Sequence, residues 1–558
     1  MTLTVAGLSG FGRSCAALVK DGVLRASAAE EIFSRHKNDP ALPAQAFRWI
    51  CAQAGSEPGS LDFVAFAEKP VQRFVRVLGG LAQGFPFTLR SFPRSLTTWL
   101  GDRLWLKTSL MKSLAVDPNR LLFVERPLAQ CAAAFFTSGF ADAAILTVDG
   151  VGEWAATMLC RGQGTNIEPM AEIQHPHSLA FFLDAVGHHL LVPETGGLCW
   201  LAALASRGEP RLAKAMEEIV RPCSDGAYEL DPRSFDLSAG TPRFTARARR
   251  ILGQPRGSGQ DAQAWVDVAS SAQSLVVDRV LALCREAKRR TGCSKLCLSG
   301  SVFQDPDIVA RVLADSEFEH VHVDPFLGDA AAALGAALWV THVVHKVEPQ
   351  KFDFRAQECA LPQMPSGAGW SVQSGSADSA SAAAVSALQA GKIVALVAGR
   401  TEFGSRPRGS RVLLADPTRA DTTATLRNKV KLSEPYVPTA LCGLAEDLVG
   451  WAETKTSEVT ARAQCTLALP AGCAEAGNGD VQIGGKALLQ AVDPATQPLL
   501  ARILREFRAT GSHVPLLAQT SLNRAGDPPV QEPLEAVDLL RRSEIEVLVW
   551  GDQVVRRA

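Results

Sequence analysis

The sequence predicts an α/β protein of two domains. In residues 1–346, short apolar strands alternate with helices, which is typical of an α/β domain. The alternation is clearest in four consecutive elements, at 295–299, 305–313, 320–323 and 328–340. Residues 347–369 are rich in proline and lose this periodicity, which predicts a linker. Strand and helix patterns resume in residues 370–558, which we predict to be the second α/β domain.

Length and composition exclude several classes of protein. At 558 residues the chain is too long for one ordinary core, and 47% hydrophobic with 21% charged residues is typical of a globular protein. A net charge of −1 gives no reason to expect a nucleic-acid binder. No apolar run reaches the roughly 18 to 20 residues that cross a bilayer, so neither a membrane span nor a membrane partner is expected. The first six residues are predicted to form a strand, not a signal peptide, and we expect a cytoplasmic protein.

The other elements are predicted in order from the N-terminus. Residues 2–35 read as strand, turn and strand, and a helix at 43–54 precedes a strand at 61–66. Residues 79–113 are amphipathic; they could face a membrane or a partner, but a packed helix pair is the commoner case. Apolar spacing and a basic end predict a long helix at 262–291. The 13 cysteines include no Cys-x-x-Cys pair, so we expect reduced core residues and no zinc site.

The most informative segment is 147–157, Thr-Val-Asp-Gly-Val-Gly-Glu-Trp-Ala-Ala-Thr, which we call the signature segment. An apolar strand precedes it and another follows it. Asp149 at the end of a buried strand, followed by Gly150 and Gly152, would let a phosphate, a metal or a substrate approach the backbone closely. A β-hairpin whose glycines serve only the turn is the alternative interpretation.

The signature segment closely resembles that of the carbamoyltransferases of antibiotic and nodulation-factor biosynthesis. Further segments resemble the same family in the same order, so the resemblance covers nearly the whole chain. They are the first hairpin with its acidic ending (14–19 and 30–35), a late strand (296–302), a glycine-rich helix start (328–337), an arginine-rich motif (399–417) and a final phosphate-binding segment (519–528).

This resemblance implies two catalytic units and their substrates. The first would be an actin-like, ribonuclease-H-like domain and the second would resemble threonylcarbamoyl-AMP synthase. In the family, the second unit makes carbamoyl adenylate from carbamoyl phosphate and ATP, and the first passes the carbamoyl group to a substrate hydroxyl with the aid of a metal. Asp149, Glu153 and Asp329 are the implied catalytic residues of the first unit.

The second unit carries the candidate phosphate ligands. Phosphates are bound by guanidinium and ammonium groups together with hydroxyl and amide donors. The chain offers such groups at six positions: Arg400, Arg406, Arg411, Lys431, Ser521 and Asn523. The alternative is a solvated basic rim, although three arginines in a glycine-punctuated strand and turn are poorly explained by packing.

The chain departs from the family at its metal site. Two histidines four residues apart are replaced by Arg126 and Gln130, and only Asp329 matches a metal-binding carboxylate. Arginine stays protonated and cannot ligate a metal, and a glutamine oxygen is a poor substitute for imidazole. We therefore expect no metal. A site rebuilt from other histidines is a minor alternative, with candidates at positions 175, 177, 188, 189, 320 and 322.

Further positions of the family pattern are changed as well. A histidine and an aspartate of the first hairpin align with Gly12 and Arg13, and a lysine of the nucleotide region aligns less securely with Trp200. In the second unit, two arginines align with Ser433 and Val437.

Three functions remain open at this stage. The first is an active transferase that carbamoylates a hydroxyl of a small-molecule secondary metabolite with ATP and carbamoyl phosphate as co-substrates. The second is a catalytically degenerate homologue that works as a partner-dependent subunit or scaffold in complex with a related active enzyme. The third is a changed acyl-adenylate or ligase reaction. For the oligomeric state, the resemblance implies a homodimer. The acceptor cannot be read from the sequence, because acceptor pockets are built by loops without motifs.

Overall fold

The computed structural model describes most of the chain, and all structural statements below concern these residues. The described ranges are 2–83, 104–193, 197–236, 242–257, 262–352, 361–367, 369–399, 402–404, 406–434, 436–437, 439–448, 464–468, 486–511 and 515–557. The chain divides into two compact units, residues 1–34 with 38–353 and residues 35–37 with 354–558. The division at 353/354 falls inside the span 347–369; that this span acts as a linker stays a prediction.

The first unit contains two five-stranded sheets. The strands of the first sheet are β1 (Thr4–Ser9), β2 (Cys15–Lys20), β3 (Val23–Ala29), β4 (Phe63–Phe66) and β5 (Leu121–Phe123). The strands of the second are β6 (Asp142–Val148), β7 (Ala155–Gln163), β8 (Asn166–Gln174), β13 (Lys295–Ser299) and β14 (His320–Val323). Four short strands form two separate ribbons: β9 (Val220–Pro222), β10 (Tyr228–Leu230), β11 (Phe235–Asp236) and β12 (Arg243–Phe244).

The two five-stranded sheets repeat one topology. The first has the order β3-β2-β1-β4-β5 and the second β8-β7-β6-β13-β14. In each, the first three strands in chain order form antiparallel pairs, the fourth pairs in parallel with the first, and the fifth pairs in parallel with the fourth. This is a ribonuclease-H-like arrangement built twice, and it confirms the predicted actin-like fold of the first unit.

Helices connect and cover these sheets. They are α1 (Glu31–Ser34), α2 (Ala44–Gln53), α3 (Pro70–Gln83), α4 (Leu106–Leu114), α5 (Arg126–Ser138), α6 (Leu179–His189), α7 (Gly197–Ala205), α8 (Ala213–Met216), α9 (Ala246–Leu252), α10 (Ala262–Thr291), α11 (Pro306–Asp315) and α12 (Gly328–Leu338). The long helix predicted at 262–291 is confirmed as α10. The middle of the amphipathic stretch 79–113, from 84 to 103, lies outside the described residues.

Helices α5 and α12 hold equivalent places in the duplicated fold, and they determine the geometry of the site. Each follows the fifth strand of its sheet, and the two pack against each other. A Cβ atom on Gly335 would lie 1.7 Å from the carbonyl oxygen of Ala129, so only glycine permits this close approach. The approach brings the N-terminal ends of both helices to the turn between β6 and β7.

The second unit is built on one mixed nine-stranded sheet, which agrees with the α/β prediction. Its strand order is β15-β23-β22-β16-β17-β21-β18-β20-β19. The strands are β15 (Trp370–Ser374), β16 (Val394–Val397), β17 (Arg411–Ala415), β18 (Ala440–Leu444), β19 (Thr466–Ala468), β20 (Lys486–Val492), β21 (Leu516–Ser521), β22 (Val547–Trp550) and β23 (Gln553–Arg557). The helices are α13 (Ala377–Gln389), α14 (Ala420–Thr425), α15 (Pro498–Ala509) and α16 (Pro533–Arg541). Apolar clusters cover both faces of this sheet.

No helix in the described part of the chain is long and apolar enough to cross a membrane.

Candidate functional site

The signature segment forms the turn between β6 and β7. The two strands pair in antiparallel register, and the Asp149 N–H donates to the carbonyl oxygen of Ala156 at 2.9 Å. The segment is therefore a hairpin turn. It does more than connect two strands, because it also places a buried carboxylate, Asp149, at the end of β6. Gly152 allows close approach to the start of α5, because a Cβ there would lie 3.1 Å from Pro127 Cδ. The turn and the helix end thus form one site.

Arg126, the first residue of α5, bridges two carboxylates of this site. Its Nε donates to Asp149 Oδ2 at 3.2 Å and its Nη1 donates to Asp329 Oδ1 at 2.6 Å. Asp329 lies in the first turn of α12, so the guanidinium links the ends of the two equivalent helices. Arg126 is the residue that replaces a family histidine, and its cation lies between the carboxylates.

Further hydrogen-bond donors contact the carboxylates of Asp149 and Asp329. Asp149 Oδ1 accepts the Ser301 N–H at 3.1 Å, and Asp149 Oδ2 also accepts from Gln130 Nε2. Asp329 Oδ2 accepts the Arg13 N–H at 2.8 Å. Every oxygen of the two carboxylates thus has a donor, and this fixes their orientation toward the guanidinium.

The electrostatics of the site favour its charged state. Burial alone would lower the pKa of Arg126, but the Asp329 and Asp149 carboxylates outweigh burial and raise it. Burial would raise the pKa of Asp149, yet the Arg126 charge and the donors from Ser301 and Gln130 hold it below its usual value. Arg126 and Asp149 therefore stay ionised near neutral pH. A cation at the N-terminus of a helix is otherwise unfavourable, so the carboxylates are what hold Arg126 there.

Glu153 contacts the backbone and not the guanidinium. Its Oε1 accepts the Lys69 N–H at 2.7 Å, and its Oε2 accepts the Arg126 N–H at 3.2 Å. Burial raises the pKa of this carboxyl. Glu153 joins the signature segment to the starts of α3 and α5, which is the geometry of a positioning residue. A catalytic role for Glu153 stays a prediction.

The residues present do not fit the metal that the family resemblance implies. Asp149 and Asp329 are already bridged by a guanidinium that has no lone pair to offer, and Gln130 donates to Asp149 through its amide nitrogen. Within the described ranges, no group of three or more His, Cys, Asp or Glu side chains could hold a metal ion.

The histidines that might have rebuilt a metal site have other contacts. His177 Nδ1 accepts the Leu230 N–H at 3.0 Å, and His322 Nε2 lies 3.0 Å from Thr137 Oγ1. Burial lowers the pKa of His189 to about 4 beside the ring of Phe244. These contacts stabilise the packing of the first unit, and a rebuilt metal site has no support among the residues that the structure describes.

The change at Gly12 is coupled to the new arrangement. A Cβ on residue 12 would lie 2.6 Å from Asp329 Oδ2, so a larger residue would displace that carboxylate from its partners. The neighbouring Arg13 contributes its N–H to Asp329, and its guanidinium pairs with buried Glu31 at 2.7 Å. Trp200 is a half-buried residue of α7. The residues at 12, 13 and 126, where the resemblance implies changes from the family pattern, are therefore all in contact with Asp329 or next to it.

Four of the predicted phosphate ligands lie at the same end of the nine-stranded sheet of the second unit. Strand β17 begins at Arg411, and β21, which is antiparallel to it, ends at Ser521. Lys431 Nζ donates to Ser521 Oγ at 3.0 Å and to Asn523 Oδ1 at 2.6 Å. It forms no ion pair with any described carboxylate, and burial lowers its pKa to about 7. An ammonium held only by neutral oxygens is suited to receive an anion.

The predicted arginines differ in what the structure shows of them. Arg400 lies outside the described residues, and Arg406 is half-buried in the loop before β17. Arg411 is buried, and its Nη1 donates to the carbonyl oxygens of Gly399 at 3.1 Å and Ser410 at 2.9 Å. Phosphate binding by these three arginines stays a prediction.

Sequence reasoning missed a half-buried glutamate, Glu402, that orders the backbone of this loop. Glu402 accepts the backbone N–H groups of Arg408, Ser410 and Arg411, and burial raises its pKa. Glu402 lies inside the arginine-rich motif, so its position could be seen in the sequence. The backbone N–H groups that it binds could not. The Asp149 contacts of Ser301 and Gln130 were missed for the same reason.

At Ser433 and Val437, where the resemblance implies arginines, the described contacts are local. Ser433 N–H donates to the Arg427 carbonyl oxygen at 3.2 Å, and Val437 N–H donates to that of Glu434 at 3.0 Å.

Comparisons with known proteins point to one family for both parts of the chain. The family models described as carbamoyltransferase N-terminus and carbamoyltransferase C-terminus match residues 5–338 and 385–557. An uncharacterised protein of Synechocystis sp. is 30% identical over 99% of this chain and 96% of its own length. Nodulation protein NolNO of Sinorhizobium fredii is 26% identical over 97% of this chain and 78% of its own. The 3'-hydroxymethylcephem-O-carbamoyltransferase of Streptomyces clavuligerus is 30% identical over 51% of this chain and 54% of its own.

Proposed function

Because the chain belongs to the carbamoyltransferase family, we propose that it carbamoylates a hydroxyl group of a small molecule, using carbamoyl phosphate and ATP. In balance, carbamoyl phosphate, ATP, the alcohol and one water give the carbamate ester, AMP, pyrophosphate and phosphate. Carbamoyl adenylate is the intermediate that joins the two halves of the reaction. The name of the Streptomyces clavuligerus relative describes transfer to an oxygen of a hydroxymethyl group, which supports an alcohol as the acceptor.

The observation that carries this proposal is the bridge from Arg126 to Asp149 and Asp329. In the transfer step, the acceptor oxygen attacks the carbamoyl carbon, negative charge develops on the carbonyl oxygen, and AMP leaves. A fixed cation beside that oxygen stabilises the developing charge. Arg126 is such a cation: it is held by two carboxylates, and 22% of its side chain remains accessible.

The Arg126 guanidinium still has N–H groups that can donate to a substrate. Its Nε and Nη1 are bonded to the carboxylates, whereas Nη2 has no hydrogen-bond partner in the described part of the chain. We assign the Nη2 donors to the carbamoyl oxygen. Asp149, Asp329 and Gln130 then act by orienting Arg126, and Glu153 acts by holding the backbone of residue 126.

The second unit is assigned the adenylate-forming step. Lys431, Ser521 and Asn523 offer an ammonium, a hydroxyl and an amide at one sheet end, the donor types that phosphate groups need. ATP and carbamoyl phosphate are both anionic, and the described hydrogen-bond acceptors of the Lys431 amine are all neutral oxygens, so the amine can pair with such an anion.

The proposed reaction therefore requires no transition metal in the first unit, because Arg126 supplies the positive charge. The test incubates the purified protein with ATP, excess Mg²⁺, carbamoyl phosphate and a panel of alcohols, with and without a chelator selective for transition metals. We expect carbamoyl-phosphate-dependent release of AMP and pyrophosphate that the chelator does not inhibit, and a carbamate ester detected by mass spectrometry.

Two outcomes count against this proposal. If the protein forms no adenylate with any acceptor, it is not an independent transferase. If turnover appears only when a related active carbamoyltransferase is added, the partner-dependent subunit is the better description.

A further inference from the structure

A second arginine beside the signature segment lacks the partners that Arg126 has. Arg76 lies on α3 and is only 9% exposed. It forms no hydrogen bond and no ion pair with any residue that the structure describes, and its Nε is completely shielded from solvent. An unpaired buried guanidinium is costly, so its presence needs an explanation.

The contacts of α3 place Arg76 next to the signature segment. The N–H of Lys69, just before the helix, donates to Glu153 at 2.7 Å. A Cβ on Gly79, further along the same helix, would lie 3.9 Å from the Trp154 ring. His175 N–H donates to the Trp154 carbonyl oxygen at 2.8 Å, and the charge of Arg76 helps to depress the pKa of His175 after burial, to about 4. Arg76 thus lies at the side of the turn that carries Asp149.

The nearby carboxylates are already engaged. Glu68 forms an ion pair with Arg73. Glu153 accepts the two backbone N–H groups of Lys69 and Arg126, and its pKa is raised by burial. Burial and the neighbouring charge of Arg73 lower the pKa of Arg76 to about 10, although the charges of Glu153 and Glu68 act in the opposite direction. The guanidinium therefore remains protonated at neutral pH, and no carboxylate in the described ranges forms an ion pair with it.

Other buried polar atoms here also lack partners within the described ranges. They are Glu68 Oε1, Arg73 Nε and His175 Nδ1. Native structures satisfy most buried polar atoms, and a group of unsatisfied ones at one place indicates a missing ligand. Together with the Arg76 cation, the set contains one donor (Arg73 Nε), one acceptor (Glu68 Oε1) and an imidazole nitrogen that donates or accepts according to its tautomer, which suits an anionic molecule that also carries a hydroxyl group.

We propose that Arg76 is the anchor of an oxyanion subsite that binds a carboxylate or phosphate group of a substrate beside the signature segment. The planar guanidinium matches both groups through paired hydrogen bonds. The assignment of this oxyanion to the alcohol acceptor rests on the proposed function, whereas anion binding can be measured without turnover. The acceptor would then be an alcohol that carries an acidic group.

The test measures melting temperature in the full-length protein at matched ionic strength, in chloride, in a monocarboxylate such as benzoate, and in phosphate. The phosphate arm is run in a Lys431→Met background, so that the second unit does not contribute. We expect the carboxylate to raise the melting temperature of the wild type, or phosphate to raise that of Lys431→Met, above the value of the same protein in chloride. Arg76→Met should abolish that rise, and Arg76→Lys should keep part of it because the charge remains.

The melting temperature in chloride provides an independent readout. Removing an unpaired buried charge should leave Arg76→Met at least as stable as the wild type. The matched control is Arg73→Met, which breaks the ion pair with Glu68 and should melt lower while keeping the anion response. A response to benzoate alone identifies a carboxylate, and a response to phosphate alone identifies a phosphate.

Two results would overturn this subsite. One is an Arg76→Met protein that melts as low as Arg73→Met in chloride, which would make Arg76 structural. The other is an equal response of the wild type and Arg76→Met to every anion. Neither result bears on whether the protein forms carbamoyl adenylate.

Discussion

Arg126 in the first unit and Lys431 in the second are both cations at the ends of strands and helices, but their surroundings differ. Arg126 is bridged by two carboxylates and its pKa is raised. Among the described residues, the Lys431 amine bonds only to neutral oxygens of Ser521 and Asn523, and burial lowers its pKa to about 7. A fully paired cation is preorganised and keeps its charge in the free protein, whereas a cation without a counter-ion gains its charge fully when an anionic ligand binds.

This contrast explains why the two regions diverge differently from the family. Replacing metal ligands at 126 and 130 would leave two carboxylates without a counter-charge, and Arg126 supplies that charge in the same place. In the second unit the residue types expected to meet phosphate are present in the sequence, and the arginines that the resemblance implies at 433 and 437 are Ser433 and Val437.

Removal of the bridging cation should have the largest effect. Arg126→Met leaves Asp149 and Asp329 enclosed without their partner, so the free energy of unfolding should fall by about 3 kcal/mol, the usual cost of breaking a buried ion pair from one side. Urea denaturation of the full-length protein, observed for the unfolding of its first unit, measures this change in the free energy of unfolding. The control is Arg161→Met, which breaks a half-exposed pair with Asp142 and should lower the free energy of unfolding far less, because solvent screens that pair. Equal effects of the two variants would contradict the special role of Arg126.

The next effect concerns ligand binding in the second unit. Lys431→Met removes a charged donor, which should weaken ATP binding roughly tenfold to a hundredfold, the effect of losing one charged hydrogen bond. Isothermal titration calorimetry measures the affinity. Lys429→Met is the matched control, because this exposed lysine reaches only Glu544 at 3.6 Å and should leave the affinity unchanged. If both variants bind ATP as the wild type does, the phosphate site lies elsewhere.

The depressed pKa of Lys431 also predicts proton uptake. At pH 7 the amine is about half protonated, and a bound anion favours the ammonium form, so binding should raise the pKa and take up a fraction of a proton. The heat of sulfate binding, measured in buffers of different ionisation enthalpy, reports this uptake because sulfate does not titrate near neutral pH. The difference between the wild type and Lys431→Met isolates the contribution of this amine. Uptake that persists in the variant would assign the proton to another group.

The smallest effect is expected at Gln130. Gln130→Met removes one donor to Asp149 but also removes a buried Oε1 that has no partner in the described structure, so the two contributions oppose each other. The free energy of unfolding should fall by about 1 kcal/mol, a typical net value for one hydrogen bond. A loss as large as that of Arg126→Met would show that Gln130, not the arginine, orders the carboxylates.

The sequence allowed the site to be located but not its contacts. Asp149, Asp329, Lys431, Ser521 and Asn523 were identified from the resemblance, because motifs preserve residue type and order. The bridge between Arg126 and Asp329 joins residues 203 positions apart, and no local pattern predicts such a pair.

Two features of the fold had no signal in the sequence. The duplicated sheet of the first unit shares a topology without an evident sequence repeat, since strand order depends on packing and not on residue identity. Arg411 matched a phosphate-binding pattern, yet the described bonds of its Nη1 go to backbone carbonyls, which depend on how the loop before β17 folds.

Metal binding tests most directly the claim that Arg126 replaces the metal. The wild type and a double variant, Arg126→His with Gln130→His, are titrated with Co(II), whose visible absorption changes when protein ligands bind it. We expect no spectral change in the wild type and binding of one Co(II) per chain in the double variant, because both new imidazoles would face Asp149 and Asp329. Binding of one Co(II) by the wild type, lost in Asp149→Asn or Asp329→Asn, would contradict the claim.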